Sequence, residues 1–209
     1  MHIPDGFLDP IWVVVTYALS VIALGLASRR AKQDMEERSY IIIPLFSAAV
    51  FVAQMLNWPI PGGTSLHFLG GALLGIMLGP YLGMLSMAFV IVVQCLLFHD
   101  GGITTLGANL LNMSVIPVLI GYYVFVVLNR TVSKIKRSTF IPALIAGWLS
   151  VVIAGIACGI EIGLSPNFPY GINITLPIMG GWHAILGIVE GLITGLIVSH
   201  IYKRHSLVT

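Results

Sequence analysis

Long apolar runs follow one another along almost the whole chain, and they restrict the fold to one whose outer surface faces lipid. Of the 209 residues, 57% are hydrophobic and only 9% are charged. A soluble domain carries roughly 25% charged residues because its surface faces water. Too few charges remain here to cover a surface in water, so the sequence predicts a multi-pass protein of the plasma or inner membrane.

Seven of these runs come close to the length of about 17 to 25 residues that a membrane-spanning helix needs. They are Ile11–Ser28, Ile41–Asn57, Ser65–Leu78, Tyr81–Phe98, Thr105–Leu128, Phe140–Leu164 and Met179–Ile201. The third is short, and Gly79-Pro80 separates it from the fourth, so these two could also form one kinked helix. The predicted fold is an all-α bundle of seven helices in a single membrane domain, 1–209. It has a leader (1–10), a helical bundle (11–201) and a tail (202–209).

The basic residues predict the orientation of this bundle. They follow the first, fifth and seventh runs: Arg29, Arg30, Lys32, Arg38, Arg130, Lys134, Lys136, Arg137, Lys203 and Arg204. The segments 1–10, 58–64, 99–104 and 165–178 contain no Lys or Arg. Cytoplasmic loops are the ones enriched in Lys and Arg. We therefore expect the N-terminus outside and the C-terminus in the cytoplasm. The scattered clusters do not indicate nucleic-acid binding.

Small residues recur at the four-residue spacing that lets membrane helices approach closely. Glycines follow this spacing on the third, sixth and seventh runs: Gly71, Gly75, Gly79, Gly155, Gly159, Gly163, Gly187, Gly191 and Gly195. Packing within the bundle is the preferred interpretation. Ala23 and Ala27 form a smaller version on the first helix, and we expect that face to be able to dock another membrane subunit.

Cys95 and Cys158 lie in apolar runs without a CxxC partner and are interpreted as buried small side chains.

The leader MHIPDGFLDP combines groups that can chelate a metal ion. The α-amine of Met1, the backbone nitrogen of His2 and the His2 imidazole can close a five-membered and a six-membered ring in one plane. Planar nitrogen donation favours Ni(II) or Cu(II) over Mg, Ca or tetrahedral Zn. Pro4, Asp5-Gly6 and Pro10 favour a turned leader over a helical one. The alternative is that His2 is an unimportant polar residue near a terminus.

His67 is the natural fourth nitrogen donor. It follows a Pro/Gly-rich loop on the side where His2 is expected, and Thr64 or Ser65 is the expected N-cap. We therefore predict that its imidazole lies on the first turn of the third helix. The alternative is an interfacial histidine that is hydrogen-bonded to a neighbour.

Four polar side chains could orient these imidazoles, because ligating histidines usually donate their second nitrogen to a carboxylate or carbonyl oxygen. They are Asp5, Gln94, Asp100 and Asn109. The alternative is that they join helices by hydrogen bonds.

His183 and Glu190 are seven residues apart and share a helix face. A Glu190 that bridges helices is the preferred interpretation, and a proton or metal relay is the alternative.

Four segments resemble the CbiM/NikM family, the substrate-binding components of energy-coupling factor transporters for cobalt and nickel. They are MHIPDGFLD, GGTSLHFLGG, LLFHDGGITTLGANLLNM and MGGWHAILGIVEGLITG. The resemblance implies seven helices with the leader tucked into the outward side of the bundle. It also implies metal ligation by Met1, His2 and His67. Implied partners are an ATPase pair, a transmembrane coupling subunit and a small accessory membrane subunit.

The predicted function is capture of Ni(II) or Co(II) from outside as transported substrate, with no organic cofactor and no enzyme activity. Nickel is favoured because the donor set is planar and consists only of nitrogen. The sequence has no phosphate-binding lysine loop, so we expect ATPase partners to supply the energy. The alternatives are a self-sufficient channel or permease for a small solute and an intramembrane enzyme. The sequence contains neither HExxH nor GxSxG, which argues against an intramembrane protease.

Overall fold

The computed structural model describes residues 1–35, 39–136 and 139–205. Arg38, Arg137 and the tail beyond 205, which entered the orientation argument, lie outside the described residues. The described chain is mostly helical with one short hairpin. In chain order its elements are α1 (Pro10–Asp34), α2 (Ser39–Gln54), β1 (Asn57–Pro59), β2 (Ser65–His67), α3 (Gly71–Phe98), α4 (Leu106–Leu110), a π-helical turn (Leu111–Val115), α5 (Ile116–Lys136), α6 (Phe140–Leu164) and α7 (Ile172–His205).

Helices with the length and composition of membrane spans dominate the described part of the chain. Five are long and apolar enough to cross a bilayer, and α2 is a shorter apolar helix. Large apolar side chains on their outer faces are exposed, with Ile11 of α1 exposing 76% of its surface and Val14 66%. In water such a surface would drive aggregation, so it belongs against lipid. The prediction of a multi-pass membrane protein is confirmed.

The third and fourth predicted helices are the two arms of α3. Gly79 breaks the helix with φ 81° and ψ 169°, a region that glycine enters without strain, and Pro80 begins the second arm. A Cβ on Gly83 would lie 2.9 Å from the Leu74 carbonyl oxygen. In a straight helix these residues would be about 13.5 Å apart along the axis. The arms therefore fold back on each other. The count of seven crossings and their orientation stay predictions.

The chain before α3 differs from the prediction. β1 and β2 pair antiparallel, with Asn57 opposite His67, and α3 begins only at Gly71. The expected position of His67 on a first helical turn is wrong, because this histidine ends β2. Gly70 has a left-handed conformation with φ 78°, which keeps the preceding residues out of the helix. Both carboxylate oxygens of Glu190 accept hydrogen bonds from the backbone of Leu69 and Gly70, at 2.7 and 2.8 Å.

The last helix begins earlier than the hydrophobic pattern suggests. The segment 165–178 was expected to be an outer loop, whereas α7 starts at Ile172 and continues through Pro177. The first turn of α7 packs on α6. A Cβ on Gly163 of α6 would lie 2.9 Å from Ile172 Cα, so the missing side chain leaves room for the α7 backbone. This tertiary contact is invisible in a hydropathy pattern.

Glycines join α6 and α7, as expected from their spacing. A Cβ on Gly191 would lie 2.6 Å from the Leu144 carbonyl oxygen, and one on Gly155 would lie 2.5 Å from the His183 ring. Gly79 is the exception among the predicted glycines, because nothing lies within 4 Å of its Cβ position and it serves the break in α3. Ala27 is fully buried within the chain, so the proposed docking face on α1 is wrong at that residue.

Candidate metal site

The leader lies inside the bundle. Met1 and Ile3 are fully buried, and His2 exposes 3% of its surface. The backbone of Ile3 is held on both sides. Its N–H donates to Asn109 Oδ1 at 2.8 Å, and its carbonyl oxygen accepts from Gly102 N at 2.9 Å and from Asn109 Nδ2 at 3.1 Å. Asp9 then caps α1 by accepting from Ile11 N and Trp12 N. These bonds fix the first three residues relative to the helices.

Ser65 of β2 contacts two of the predicted chelating nitrogens. The Met1 amine donates to the Ser65 carbonyl oxygen at 2.5 Å and to its Oγ at 2.9 Å. The backbone N–H of His2 donates to the same Oγ at 3.2 Å. The sequence analysis did not single out Ser65 as a site residue. The sequence analysis placed Ser65 in a helix, so the strand that brings its Oγ to the amine gave no signal there.

The His2 ring is oriented so that its Nδ1 carries a lone pair. Its Nε2 lies 3.1 Å from Gln94 Oε1, an acceptor, so this nitrogen is the one that carries the proton. Nδ1 has no hydrogen-bond partner and lies 3.3 Å from Asp100 Oδ1. That approach is an ion pair only when the ring is protonated. The Nδ1 lone pair and the Asp100 carboxylate therefore face each other, and two facing acceptors favour a cation beside them.

His67 has the complementary arrangement. Its Nδ1 lies 2.8 Å from the Phe68 carbonyl oxygen and donates to it, and Nε2 is buried without a partner. The His67 and His2 rings stack, with centroids 4.6 Å apart and planes inclined by 29°. The structure thus places the amine, the His2 backbone nitrogen and two unpartnered imidazole nitrogens around β2.

Burial keeps these groups neutral. It lowers the pKa of the Met1 amine from 8.0 to about 5. Burial, with a smaller effect of the amine charge, lowers the pKa of His2 to about 3. The pKa of His67 also lies well below its usual value because of burial first and then the amine, His2 and, at a smaller level, His183. At neutral pH all three groups present lone pairs, which is the state that binds a metal ion.

The four predicted supporting residues divide into two groups. Gln94 and Asp100 contact the His2 ring, as described above. Asn109 and Asp5 hold the leader instead, Asn109 through Ile3 and Asp5 through Thr104, whose backbone N–H donates to Asp5 Oδ1 at 2.7 Å. Hydrogen bonds from Thr104 lower the pKa of Asp5. Burial raises the pKa of Asp100.

The site opens at the end of the bundle where the leader and the β1–β2 hairpin lie. A cleft of about 950 Å³ lies between the leader, the β1–β2 hairpin and the loop after α3, and His2, Ser65 and Asp100 line it. Within the described residues no group of three His, Cys, Asp or Glu side chains is arranged to hold a metal ion. A terminal amine and a backbone nitrogen fall outside such a side-chain set, so this site has a different donor chemistry.

Two further buried polar groups lie near the site. His183 of α7 donates from Nδ1 to the Met179 carbonyl oxygen at 2.7 Å, and its Nε2 is buried without a partner. Asn112 donates to Glu161 at 2.5 Å, so Asn112 and Asn109 serve different partners. The π-helical turn that begins at Leu111 changes the helical spacing of the two asparagines.

The fold and the buried nitrogen cluster define a multi-pass membrane protein with a candidate cation site near one end of the bundle. The chain belongs to the CbiM family, whose model, described as a cobalt uptake substrate-specific transmembrane region, matches residues 2–207. The family is one of transport proteins and not of enzymes.

Named relatives agree with this family. The chain is 52% identical over 201 residues to a putative fused nickel transport protein NikMN of Archaeoglobus fulgidus, covering 96% of this chain but 65% of that protein. A putative metal transport protein of Haloquadratum walsbyi is 46% identical, with 96% of this chain and 89% of that protein covered. The crystal structure of a truncated transition metal transporter superposes with a TM-score of 0.89 at 35% identity, covering 98% of this chain and 99% of that one.

Proposed function

We propose that this chain captures Ni(II) or Co(II) from outside the cell as the substrate-binding subunit of an uptake transporter. The ligands are the Met1 amine, the backbone nitrogen and Nδ1 of His2, and Nε2 of His67. The observation that carries the proposal is the pair of buried imidazole nitrogens without partners beside a buried neutral amine. An unpartnered buried acceptor is destabilising, so it needs a functional reason.

The tautomers of both histidines support this ligand set. The protonated nitrogen of His2 contacts Gln94, and that of His67 contacts the Phe68 carbonyl oxygen. Such bonds fix ring orientation and increase ligand basicity in metal sites. In His2 the free nitrogen is Nδ1, the one that closes a six-membered chelate ring with the backbone nitrogen of the same residue.

The donor set also sets the metal preference. Two fused chelate rings hold three nitrogens in one plane, and His67 supplies the fourth. When the metal binds, the His2 backbone nitrogen loses its proton and its bond to Ser65 Oγ. Planar nitrogen donation suits Ni(II), and cobalt is the second candidate because of the family.

Asp5, Gln94, Asp100 and Asn109 support the ligands in this proposal. Gln94 and Asp100 act on the His2 ring directly, with the Asp100 carboxylate offsetting the charge of the cation. Asp5 and Asn109 act through the leader, whose position sets the distance between the amine and β2.

Energy for release into the cytoplasm comes from partner subunits in this proposal: an ATPase pair, a transmembrane coupling subunit and a small accessory membrane subunit. The support is the family membership, together with relatives that are named as fused transport proteins longer than this chain. Docking is expected at the cytoplasmic end, where Gly79 and Pro80 turn the chain between the two arms of α3.

Two residues, Gly-Pro, added before Met1 test the chelate. The free amine then lies too far from His2, and the proline nitrogen, which has no N–H, cannot replace it as a donor, so we expect Ni(II) affinity in isothermal titration to fall at least 100-fold. His67→Ala removes one donor of four and is expected to lower affinity about 10- to 100-fold. The matched control is His200→Ala, because His200 is an exposed histidine near the end of α7 and does not line this cleft. A channel or permease would leave both variants unchanged, and full-affinity nickel binding by them contradicts the proposal.

A further inference from the structure

His183 is a third buried histidine whose ring has the same arrangement as that of His67. In both rings Nδ1 donates to a backbone carbonyl oxygen, of Met179 at 2.7 Å for His183 and of Phe68 at 2.8 Å for His67. In both rings Nε2 is buried and has no hydrogen-bond partner. Each imidazole is thus held with its lone pair directed into the protein interior. The proposed chelate uses the Nε2 lone pair of His67. It gives no role to the Nε2 lone pair of His183.

The contacts of α7 place His183 beside β2. Met179 Sδ lies 4.0 Å from Thr64 Oγ1, and farther along the helix Glu190 binds Leu69 N at 2.7 Å. The helix rises about 16.5 Å over those eleven residues. Five residues of extended chain, from Thr64 to Leu69, span about the same length. The two segments therefore run side by side, and His183, one turn after Met179, lies level with β2.

Contacts of α6 support this placement. The His183 ring packs against Gly155 of α6, where a Cβ would lie 2.5 Å from the ring. Three residues later on the same helix, Cys158 Sγ lies 3.8 Å from the Met1 carbonyl oxygen. With α6 closing that side of the ring, His183 belongs to the same interior region as the amine and β2.

We propose that His67 and His183 form a second cation site inside the bundle, which holds the metal ion after it leaves the amino-terminal chelate. This inference rests on the proposed function, because His67 belongs to both sites. In the step, the metal exchanges its bonds to the Met1 amine and to His2 for a bond to His183 Nε2. A proton from solvent returns to the His2 backbone nitrogen, and water completes the coordination.

The chemistry of the second site differs from that of the first. Two neutral imidazoles with water suit any borderline divalent metal, Co(II), Ni(II) or Zn(II), and impose no plane. The site has two protein donors where the chelate has four, and none of them is anionic. We therefore expect this site to bind the metal ion at least 100-fold more weakly than the chelate does. Weak binding suits a site that must release the ion again.

The test uses the full chain with Gly-Pro added before Met1, which removes the chelate and leaves both histidines. Titration with Co(II) followed by visible absorption is expected to give weak binding of one equivalent. His183→Asn in the extended chain should abolish it, because the Asn side chain can reproduce the Nδ1–H donor to Met179 but has no nitrogen at the Nε2 position. Cobalt binding that is unchanged by His183→Asn overturns the second site.

His183→Asn in the chain without the Gly-Pro extension separates this inference from the proposed function. We expect tight Ni(II) binding within about 3-fold of the original and an unchanged nickel spectrum, with uptake by the complete transporter reduced at least 10-fold. A changed spectrum at the tight site makes His183 a ligand of the chelate itself and overturns a separate site, and unchanged uptake overturns the transfer role. If the Gly-Pro extension leaves tight binding intact, the proposed chelate is what fails.

A measurement without any substitution at His183 keeps the test independent of folding. Proton NMR of the extended chain with Co(II) is expected to show two strongly shifted exchangeable N–H signals, one from each ring, because both Nδ1 protons are held by carbonyl oxygens. A single shifted signal contradicts shared binding. His200→Ala serves as the matched histidine control and should leave both signals unchanged.

Discussion

At the scale of single residues, the site depends on which nitrogen of each ring carries a proton. Sequence reasoning predicted Met1 and His2 from chelate chemistry, because ring closure depends only on covalent structure, and added His67 as a fourth donor from its loop position and the family resemblance. It could not reach Ser65, since the contact of its Oγ with the amine and with the His2 backbone depends on the course of β2. Nor could it distinguish Gln94 and Asp100, which contact the ring, from Asp5 and Asn109, which hold the leader.

Gln94 tests the importance of the His2 tautomer. Replacing Gln94 by Leu removes the acceptor for the protonated Nε2, so the proton can move to Nδ1 and block the chelating position. We expect nickel affinity to fall about 10- to 100-fold, as is usual when a residue that orients a metal ligand is lost. Gln94→Glu keeps an acceptor and should bind within about 3-fold of the original. Calorimetric titration with Ni(II) measures both affinities. Equal nickel affinities of Gln94→Leu and Gln94→Glu would contradict a role of Gln94 in fixing the His2 tautomer.

The pH dependence of binding tests the state of the Met1 amine. Because burial lowers its pKa to about 5, the amine is already neutral above that pH and releases no proton to the metal. Only the His2 backbone proton is then released, so the logarithm of the affinity should rise by about one per pH unit between pH 6 and 8. Below pH 5 amine protonation adds a second proton, and the slope should approach two.

Calorimetric titrations with Ni(II) across pH 4.5 to 8 in weakly coordinating buffers provide this measurement. An amine at its ordinary pKa of 8.0 would instead give a slope near two at pH 6 that falls only to about 1.5 at pH 8. That result would mean that the amine is exposed to water before the metal arrives.

At the scale of elements, hydropathy located the helices well and their ends poorly. The bounds predicted for α6 are the observed ones, Phe140–Leu164, because the apolar run stands between polar segments and its one proline, Pro142, falls in the first turn, where a helix tolerates it. The errors in the helix bounds arose where contacts with other segments determine where a helix begins. Ser65–His67 pairs with β1 instead of opening a helix, and α7 starts at Ile172 because its first turn packs on α6. Such contacts join residues distant in sequence, which a local pattern does not record.

The glycines of α6 and α7 give a matched pair of substitutions. Gly191→Ala places a methyl group 2.6 Å from the Leu144 carbonyl oxygen, so α6 and α7 must separate. Gly181→Ala on the same helix meets nothing within 4 Å. We expect the first change to destabilise the protein by about 1 to 3 kcal/mol, as in other overpacked interiors. The second should be neutral or slightly stabilising, because alanine favours helix more than glycine does.

Thermal unfolding of both variants in detergent, followed by circular dichroism, measures the difference. Equal midpoints for Gly191→Ala and Gly181→Ala would mean that the close approach of α6 and α7 does not limit stability.

At the scale of the whole molecule, the outward position of the metal site rests on the predicted orientation. The leader, the β1–β2 hairpin and the loop after α3 enclose one cleft, and these segments contain no Lys or Arg. The C-terminal parts of α1, α5 and α7 carry the basic residues. If the basic ends face the cytoplasm, the cleft opens outside. Cysteine labelling in intact cells tests this directly.

The natural cysteines favour such an experiment, because Cys95 exposes 4% of its surface and Cys158 none. A new cysteine at Ile103, which exposes 59%, should react with a membrane-impermeant maleimide added outside. A cysteine at Tyr202, which exposes 41%, should react only after the membrane is permeabilised. The opposite pattern would place the chelate on the cytoplasmic face, where capture from outside is impossible. Labelling of both positions in intact cells would contradict the odd number of crossings on which the orientation depends.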